Sequence, residues 1–338
     1  MKLIFGHIWA VWWWRLAHGN ATANDLRTNI CSLPSDQSVA LALKGTGAEE
    51  TRRLHVGRGI PRDLPLEVVS KGSVPHARLS HAVIRRWNGY VPVGSICAAG
   101  DHLVCSPEFC LVLVACDIRR ICQERLERWQ YVLVLVELGC ELCGTYSKSN
   151  DRRGFKNRNV QLVGTWQMRD FVCGIAHERG ASLAYEALRW VIDGLNSPME
   201  TVVYLMLCLP RLWGGLALPR PRANSSLPVP MELWRKAKRR NVVPDLYWQE
   251  YGLAVEFFGE DFHTGTEHED MERQETEQDM GLKVVTFWKE DVLDLRRFRA
   301  KADSIAHYLG MRLPEASDQF LAAQAKLQQM LVRHQRWI

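Results

Sequence analysis

Asp245 and Glu256 are the residues on which chemistry can be built, because each stands in a short run of branched and aromatic side chains. Residues 243–248 (VPDLYW) and 253–258 (LAVEFF) have the composition of β-strands, and the tight polar link between them makes the pair a hairpin. A hairpin sets the two carboxylates side by side at one edge of a sheet. Two carboxylates a few Å apart cannot both stay ionised cheaply unless a cation lies between them. Mg²⁺ or Mn²⁺ suits such a pair, since a hard divalent ion is held by one or two carboxylates together with water and substrate phosphate oxygens. The ion would lower the pKa of a bound water and stabilise charge on a phosphoryl centre. Asp245 and Glu256 are therefore the candidate metal ligands.

The flanking elements must position them. Residues 267–280 (EHEDMERQETEQDM) form a charged helix with Met271, Thr276 and Met280 on one side, stopped by Gly281. Residues 283–288 (KVVTFW) are a third strand, and a strand reached through a helix is most simply parallel to its sheet. Upstream, Pro210, Pro219, Pro221, Pro228 and Pro230 exclude a long helix before Met231. The run MELWRKAKRRN then places Arg235, Lys236, Lys238, Arg239 and Arg240 immediately before Asp245. Such a patch would draw a polyanion toward the acids and make binding salt-sensitive; the alternative is an ordinary solvated basic face. Arg273 is a further candidate phosphate contact, or else the partner of Asp270 in a surface helix pair.

Taken in order, Pro244-Asp245, Glu256 in LAVEFFG, His263, and Asp270 with Arg273 before GLKVVTFW resemble the PD-(D/E)XK nuclease superfamily, in its branch related to very short patch repair endonucleases. The resemblance runs from about Ser197 to the C-terminus. Residues 197–207 (SPMETVVYLML) look like the leading helix, with an acid at Glu200, and residues 225–229 like the first strand. It implies an α/β fold: a C-terminal restriction-endonuclease-like αβββαβ core with a mixed central sheet over 191–315, preceded by an α+β N-terminal domain over 1–190 and followed by a C-terminal helix over 316–338. It also implies a magnesium- or manganese-dependent DNA endonuclease, acting in defence or repair, with catalytic residues Asp245, Glu256, His263 and Glu200. His263 would be the general base and Glu200 an outer carboxylate. The third motif position departs from the pattern. It is Phe258, which neither binds a metal nor moves a proton; Glu260 and Asp261 are near enough in sequence to supply a replacement carboxylate.

The rest of the chain bounds these readings. With 338 residues, 47% hydrophobic and 24% charged, it has the make-up of about two globular domains. Its net charge of +5 permits a nucleic-acid partner without demanding one. Ten cysteines without regular spacing, of which only Cys140 and Cys143 are close, indicate thiols in a reducing compartment rather than a zinc site. His55, His76 and His81 have no paired acids. The first residues read as an amphipathic helix with Ile4, Ile8, Val11 and Trp12 on one face, not as a secretory signal. No apolar run reaches the roughly 18 residues a membrane span needs, so a cytoplasmic location is expected. Residues 20–50 read as a polar connector. Ser106-Pro107-Glu108 opens a helix, in a region resembling the N-terminal portion of some abortive-infection and toxin–antitoxin-related proteins. Residues 144–159 read as a loop in which Lys148, Arg152, Arg153, Lys156 and Arg158 are interleaved with Tyr146 and Phe155, suited to a phosphate backbone.

Two classes of function follow. One is the metal-dependent nuclease acting on DNA, with no membrane and no small-molecule cofactor. The other is a catalytically inactive DNA-binding or regulatory module on the same scaffold, which Phe258 favours, since a fold alone does not establish activity.

Overall fold

The structure is a computed structural model that describes residues 2–16, 22–44, 59–72, 78–79, 82–151, 153–259 and 267–333. It is a mixed α/β protein. The chain divides at Val191/Ile192 into two compact units.

The N-terminal unit is built on a six-stranded mixed sheet in the order β3-β4-β2-β1-β6-β5, formed by β1 (Ile4–Phe5), β2 (Leu66–Ser70), β3 (Arg78–Leu79), β4 (Ala82–Arg86), β5 (Ile96–Ala99) and β6 (His102–Cys105). Helix α1 (His7–Leu16) is buried on nearly every side rather than on one face. Its first turn is capped by the buried carboxylate of Glu67, which accepts from the Ile8 and Trp9 amides at 3.0 and 3.4 Å and is neutralised by Arg85 at 2.6 Å. Residues 20–50 are not a plain connector: they hold α2 (Ala23–Leu26) and α3 (Asp36–Lys44). Ser106 caps α4 (Pro107–Cys122) through the Phe109 amide, as its sequence signature indicates. Helix α5 (Arg128–Cys143) follows.

The presumed basic loop at 144–159 is instead a ribbon of β7 (Tyr146–Lys148) and β8 (Phe155–Asn157). Part of its charge is turned inward: Lys148 and Arg158 are largely covered, whereas Arg153 and Lys156 stay exposed. Glu141 is fully buried, paired with Arg15 at 2.7 Å and accepting from the Lys148 amide at 2.9 Å. Arg158 donates to the Glu141 and Gly144 carbonyls at 2.5 and 3.0 Å, and burial pulls its guanidinium down to about 10. Arg158 is thereby committed to packing. Helices α6 (Thr165–Gly174) and α7 (Ala181–Leu188) complete the unit.

The C-terminal unit opens with α8 (Pro198–Cys208), apolar and buried almost throughout, with Ser197 as its N-cap and Pro198 at its first position. Its sheet has the order β14-β13-β12-β9, from β9 (Arg222–Ala223), β12 (Leu246–Trp248), β13 (Leu253–Phe258) and β14 (Lys283–Trp288). The hairpin β12–β13 turns at Gly252, which takes a φ of 55°. Strand β14 is parallel to β13 over six residue pairs and is reached through α10 (Glu267–Asp279).

Two strand boundaries differ from the sequence reading. The first strand of the sheet is 222–223, not 225–229. Residues 227–228 (β10, Leu227–Pro228) pair with β11 (Asn241–Val242) in a separate ribbon that carries the short helix α9 (Trp234–Ala237) between its strands. Proline at 228 donates no hydrogen bond and so suits a two-stranded ribbon better than an internal ladder. Pro244 likewise delays β12 until Leu246. Helices α11 (Lys289–Leu293) and α12 (Leu295–Tyr308) follow, with Phe298 against Phe287 at 5.2 Å.

The final helix α13 (Asp318–Arg333) belongs to this unit. Leu327 and Leu331 are buried, and Phe320 lies under the guanidinium groups of Arg211 and Arg299. Gly214 makes this docking possible: its φ is +95°, and a Cβ there would come 2.4 Å from the Ala323 carbonyl oxygen. Gly214→Ala is therefore expected to destabilise the unit by about 1–3 kcal/mol, read as a lower urea midpoint. An unchanged midpoint would show that α13 does not seat against this turn.

Candidate functional site: a row of buried acids

The C-terminal sheet assembles its chemistry in a single row. Leu246 is opposite Val255 on one side and Ala223 on the other. Continuing the ladder one step puts Asp245 opposite Glu256 and beside Asn224, and the Asn224 amide donates to the Asp245 carbonyl at 3.0 Å. Glu256 is in turn opposite Thr286 on β14. Because side chains directly opposite one another share a face, Asp245 and Glu256 lie on the same side of the sheet. The hairpin thus brings together the two acids singled out as metal ligands.

Each carboxylate is held differently. Asp245 is half-buried, and its Oδ2 accepts from the Phe257 amide at 2.6 Å, which fixes it against β13. Glu256 is wholly buried; Oε2 accepts from Arg273 Nη2 at 2.7 Å, and Oε1 has no hydrogen-bond partner among the described residues. Burial, and then the charges of Asp245 and Glu277, push its carboxyl well above the ordinary range, with Arg273 opposing. Glu200, on the first turn of α8, accepts through Oε2 from the Asn196 amide and the Asn224 side chain, both at 2.8 Å. Its proton is held up to about 8, chiefly by burial and then by Asp245. Asn224, with a φ of 47°, is the physical link between Glu200 and Asp245.

Arg273 is not free to meet a phosphate as the sequence reading expects, since its guanidinium pairs with Glu256. His263, Glu260 and Asp261 lie outside the described residues, as does the side chain of Asp270. The basic run ahead of Asp245 is largely engaged with α10: Lys236 pairs with Asp279 at 2.5 Å, Lys238 with Glu272 at 3.4 Å and Arg239 with Glu272 at 3.9 Å. Arg240 lies over the Trp234 ring at 4.4 Å, and Arg235 is exposed. The Lys236 and Lys238 pairs are solvent-exposed and weak, so an incoming polyanion can compete for their cations.

Phe258 is buried and packs edge-on against Trp288 at 5.1 Å. Lys301, which reaches the Thr286 carbonyl beside the row, is also paired with Asp291 at 2.8 Å. The residue that sequence reasoning missed is Glu277 on α10, fully buried, with neither carboxylate oxygen hydrogen-bonded among the described residues. It and Glu256 are close enough to perturb each other's protons, and burial raises its carboxyl. Its polar surroundings in sequence hide it; the only signal is its spacing of four from Arg273.

Among the described residues, no three His, Cys, Asp or Glu side chains are already set around a common ion position. Cys140 and Cys143 are buried thiols. No helix of the described residues is long and apolar enough to cross a membrane. Compared with known protein families, curated proteins and solved structures, the chain gives no significant match.

The raised carboxyls make stability depend on pH with a definite sign. Glu200 titrates near 4.5 when unfolded and near 8 when folded. Between those values the folded state keeps a proton that the unfolded chain has lost. Stability is therefore fully present below the lower value and falls as pH rises through the upper one. The metal-free protein should show a urea midpoint that declines between about pH 5 and pH 8, with a shallower decline in Glu200→Gln. A wild-type midpoint that rises across that window would contradict the buried, protonated state.

Proposed function

We propose that the C-terminal unit is a divalent-metal-dependent nuclease of the PD-(D/E)XK type that hydrolyses DNA phosphodiester bonds. The observation that carries this reading is the co-facing pair Asp245 and Glu256, with a buried Glu256 oxygen that no donor serves. The order α8, β9, β12, β13, α10, β14, with β12 antiparallel and β14 parallel to β13, supports the restriction-endonuclease-like core. The donor set fits a hard divalent ion, for which one or two carboxylates suffice when water and substrate phosphate complete the shell. Mg²⁺ or Mn²⁺, when bound, supplies a water of lowered pKa and neutralises charge at phosphorus.

The chain's own residues do the rest. Asp245 and Glu256 hold the cation, and the Phe257 amide keeps Asp245 from swinging away. Glu200, whose carboxyl burial and Asp245 raise, orients Asn224 and through it the Asp245 backbone. Arg273 neutralises Glu256 while the site is unloaded. His263 is assigned from its place in the sequence as the group that takes a proton from water. Arg235, Lys236, Lys238, Arg239 and Arg240 draw the DNA backbone to the site, some by exchanging α10 carboxylates for phosphates.

A second reading, a DNA-binding module without hydrolytic activity, is favoured by one observation: the Phe258 ring is packed on Trp288 where the motif requires a polar group. Incubation with plasmid or single-stranded DNA and Mg²⁺ or Mn²⁺ separates the two. The nuclease should cut, and Asp245→Ala and Glu256→Ala should each lose roughly a hundredfold or more in rate while still binding DNA. Binding without cleavage by the wild type in either metal would establish the module instead.

A further inference from the structure

Helix α10 brings a carboxylate to the acid row at the point where the motif is incomplete. Glu277 is four residues after Arg273 and so lies on the same face of the helix. That face is turned to the row, because Arg273 reaches Glu256 Oε2 at 2.7 Å. One residue further on, Gln274 Nε2 donates to Thr286 Oγ1 at 3.2 Å, the next position along the row. Glu277 is 0% exposed, yet neither of its carboxylate oxygens has a hydrogen-bond partner among the described residues, and Glu256 Oε1 is in the same state.

A buried carboxylate kept only for packing is expensive. Glutamine or leucine would fill the same volume without the desolvation cost, and a structural acid normally faces donors. Here two acids face each other, with one guanidinium bonded to a single oxygen of one of them. Among the described residues, nothing but a proton shared between the two carboxyls serves these three buried oxygens, and a divalent cation can take that proton's place. Phe258, two residues beyond Glu256 on the same face of β13, contributes nothing to such a site.

We propose that Glu277 is the third carboxylate ligand of the divalent-cation site, supplied by the crossover helix in place of a polar residue at 258. This rests on the reading that Asp245 and Glu256 hold a cation. In the unloaded arrangement Arg273 is the counter-cation of Glu256; loading replaces that contact, and Glu277 turns onto the ion. The site then carries three carboxylates, a set suited to Mn²⁺ or Mg²⁺ with waters completing the shell.

Titration of the full-length protein with MnCl₂ by calorimetry, alongside melting curves with and without Mn²⁺, tests this. Wild type should bind Mn²⁺ and melt higher in its presence. Glu277→Gln should bind at least roughly tenfold more weakly, lose the Mn²⁺-dependent rise, and melt no lower than wild type without metal. Glu277→Asp, which keeps the carboxylate, should recover part of the affinity, and Glu275→Gln, on the exposed face, should behave as wild type. Glu277→Gln binding within about twofold of wild type would overturn the role of Glu277 and leave the Asp245–Glu256 reading intact. A Glu277→Gln protein that fails to fold or melts lower without metal would show a structural role and overturn the inference too. A wild type that binds no Mn²⁺ would overturn both.

Discussion

Too many acids lie under cover at one row of a four-stranded sheet for the charge that opposes them. Glu200, Glu256 and Glu277 are buried, Asp245 is half-buried, and the guanidinium bonded into this group is that of Arg273. Carboxylates in such surroundings either hold protons or attract a cation. The raised pKa values of Glu200, Glu256 and Glu277 are the first outcome; a divalent ion would supply the second. Perturbed groups of this kind cluster at functional sites, although structural networks produce them as well. What separates this one is that, among the described residues, the remaining oxygens of Glu256 and Glu277 have no donor besides the proton the two carboxyls share.

The fold supplies that row with simple means. A tight hairpin sets Asp245 across from Glu256, and a short first strand sets Asn224 beside Asp245. A capped helix start presents Glu200 to Asn224. The crossover helix then closes over the face with Arg273, Gln274 and Glu277. Each contribution comes from a different element, so the row exists only when α8, the sheet and α10 are all in place. The N-terminal unit uses buried charge differently. Its carboxylates at 67 and 141 are each met by arginine and by backbone amides, which leaves nothing for a ligand to satisfy.

Much of this is legible in the sequence, and the rest is hidden there for physical reasons. Alternation of branched and aromatic residues located β13 and β14, and Gly281 located the end of α10, because these signals are local. The pairing of Asp245 with Glu256 followed from a link too short to allow another arrangement. The first strand was misplaced because Leu227 and Pro228 have as much strand character as Arg222 and Ala223, and only tertiary packing selects which pair enters the sheet. The ribbon at 146–157 has the look of a loop because its charges seem solvated in sequence, whereas Glu141, on the helix just before it, takes the Lys148 amide and Arg158 inward. Glu277 is hidden for the same reason: on so polar a helix only its spacing of four from Arg273 sets it apart.

The account therefore stands on a cation belonging beside Asp245 and Glu256. Crystals of the protein grown or soaked with Mn²⁺ and measured at an energy where manganese scatters anomalously test it most directly. The account predicts an anomalous peak in contact with carboxylate oxygens of both residues, with Arg273 displaced from Glu256. Clear density for the row with Arg273 still bonded to Glu256 and no anomalous peak would contradict it.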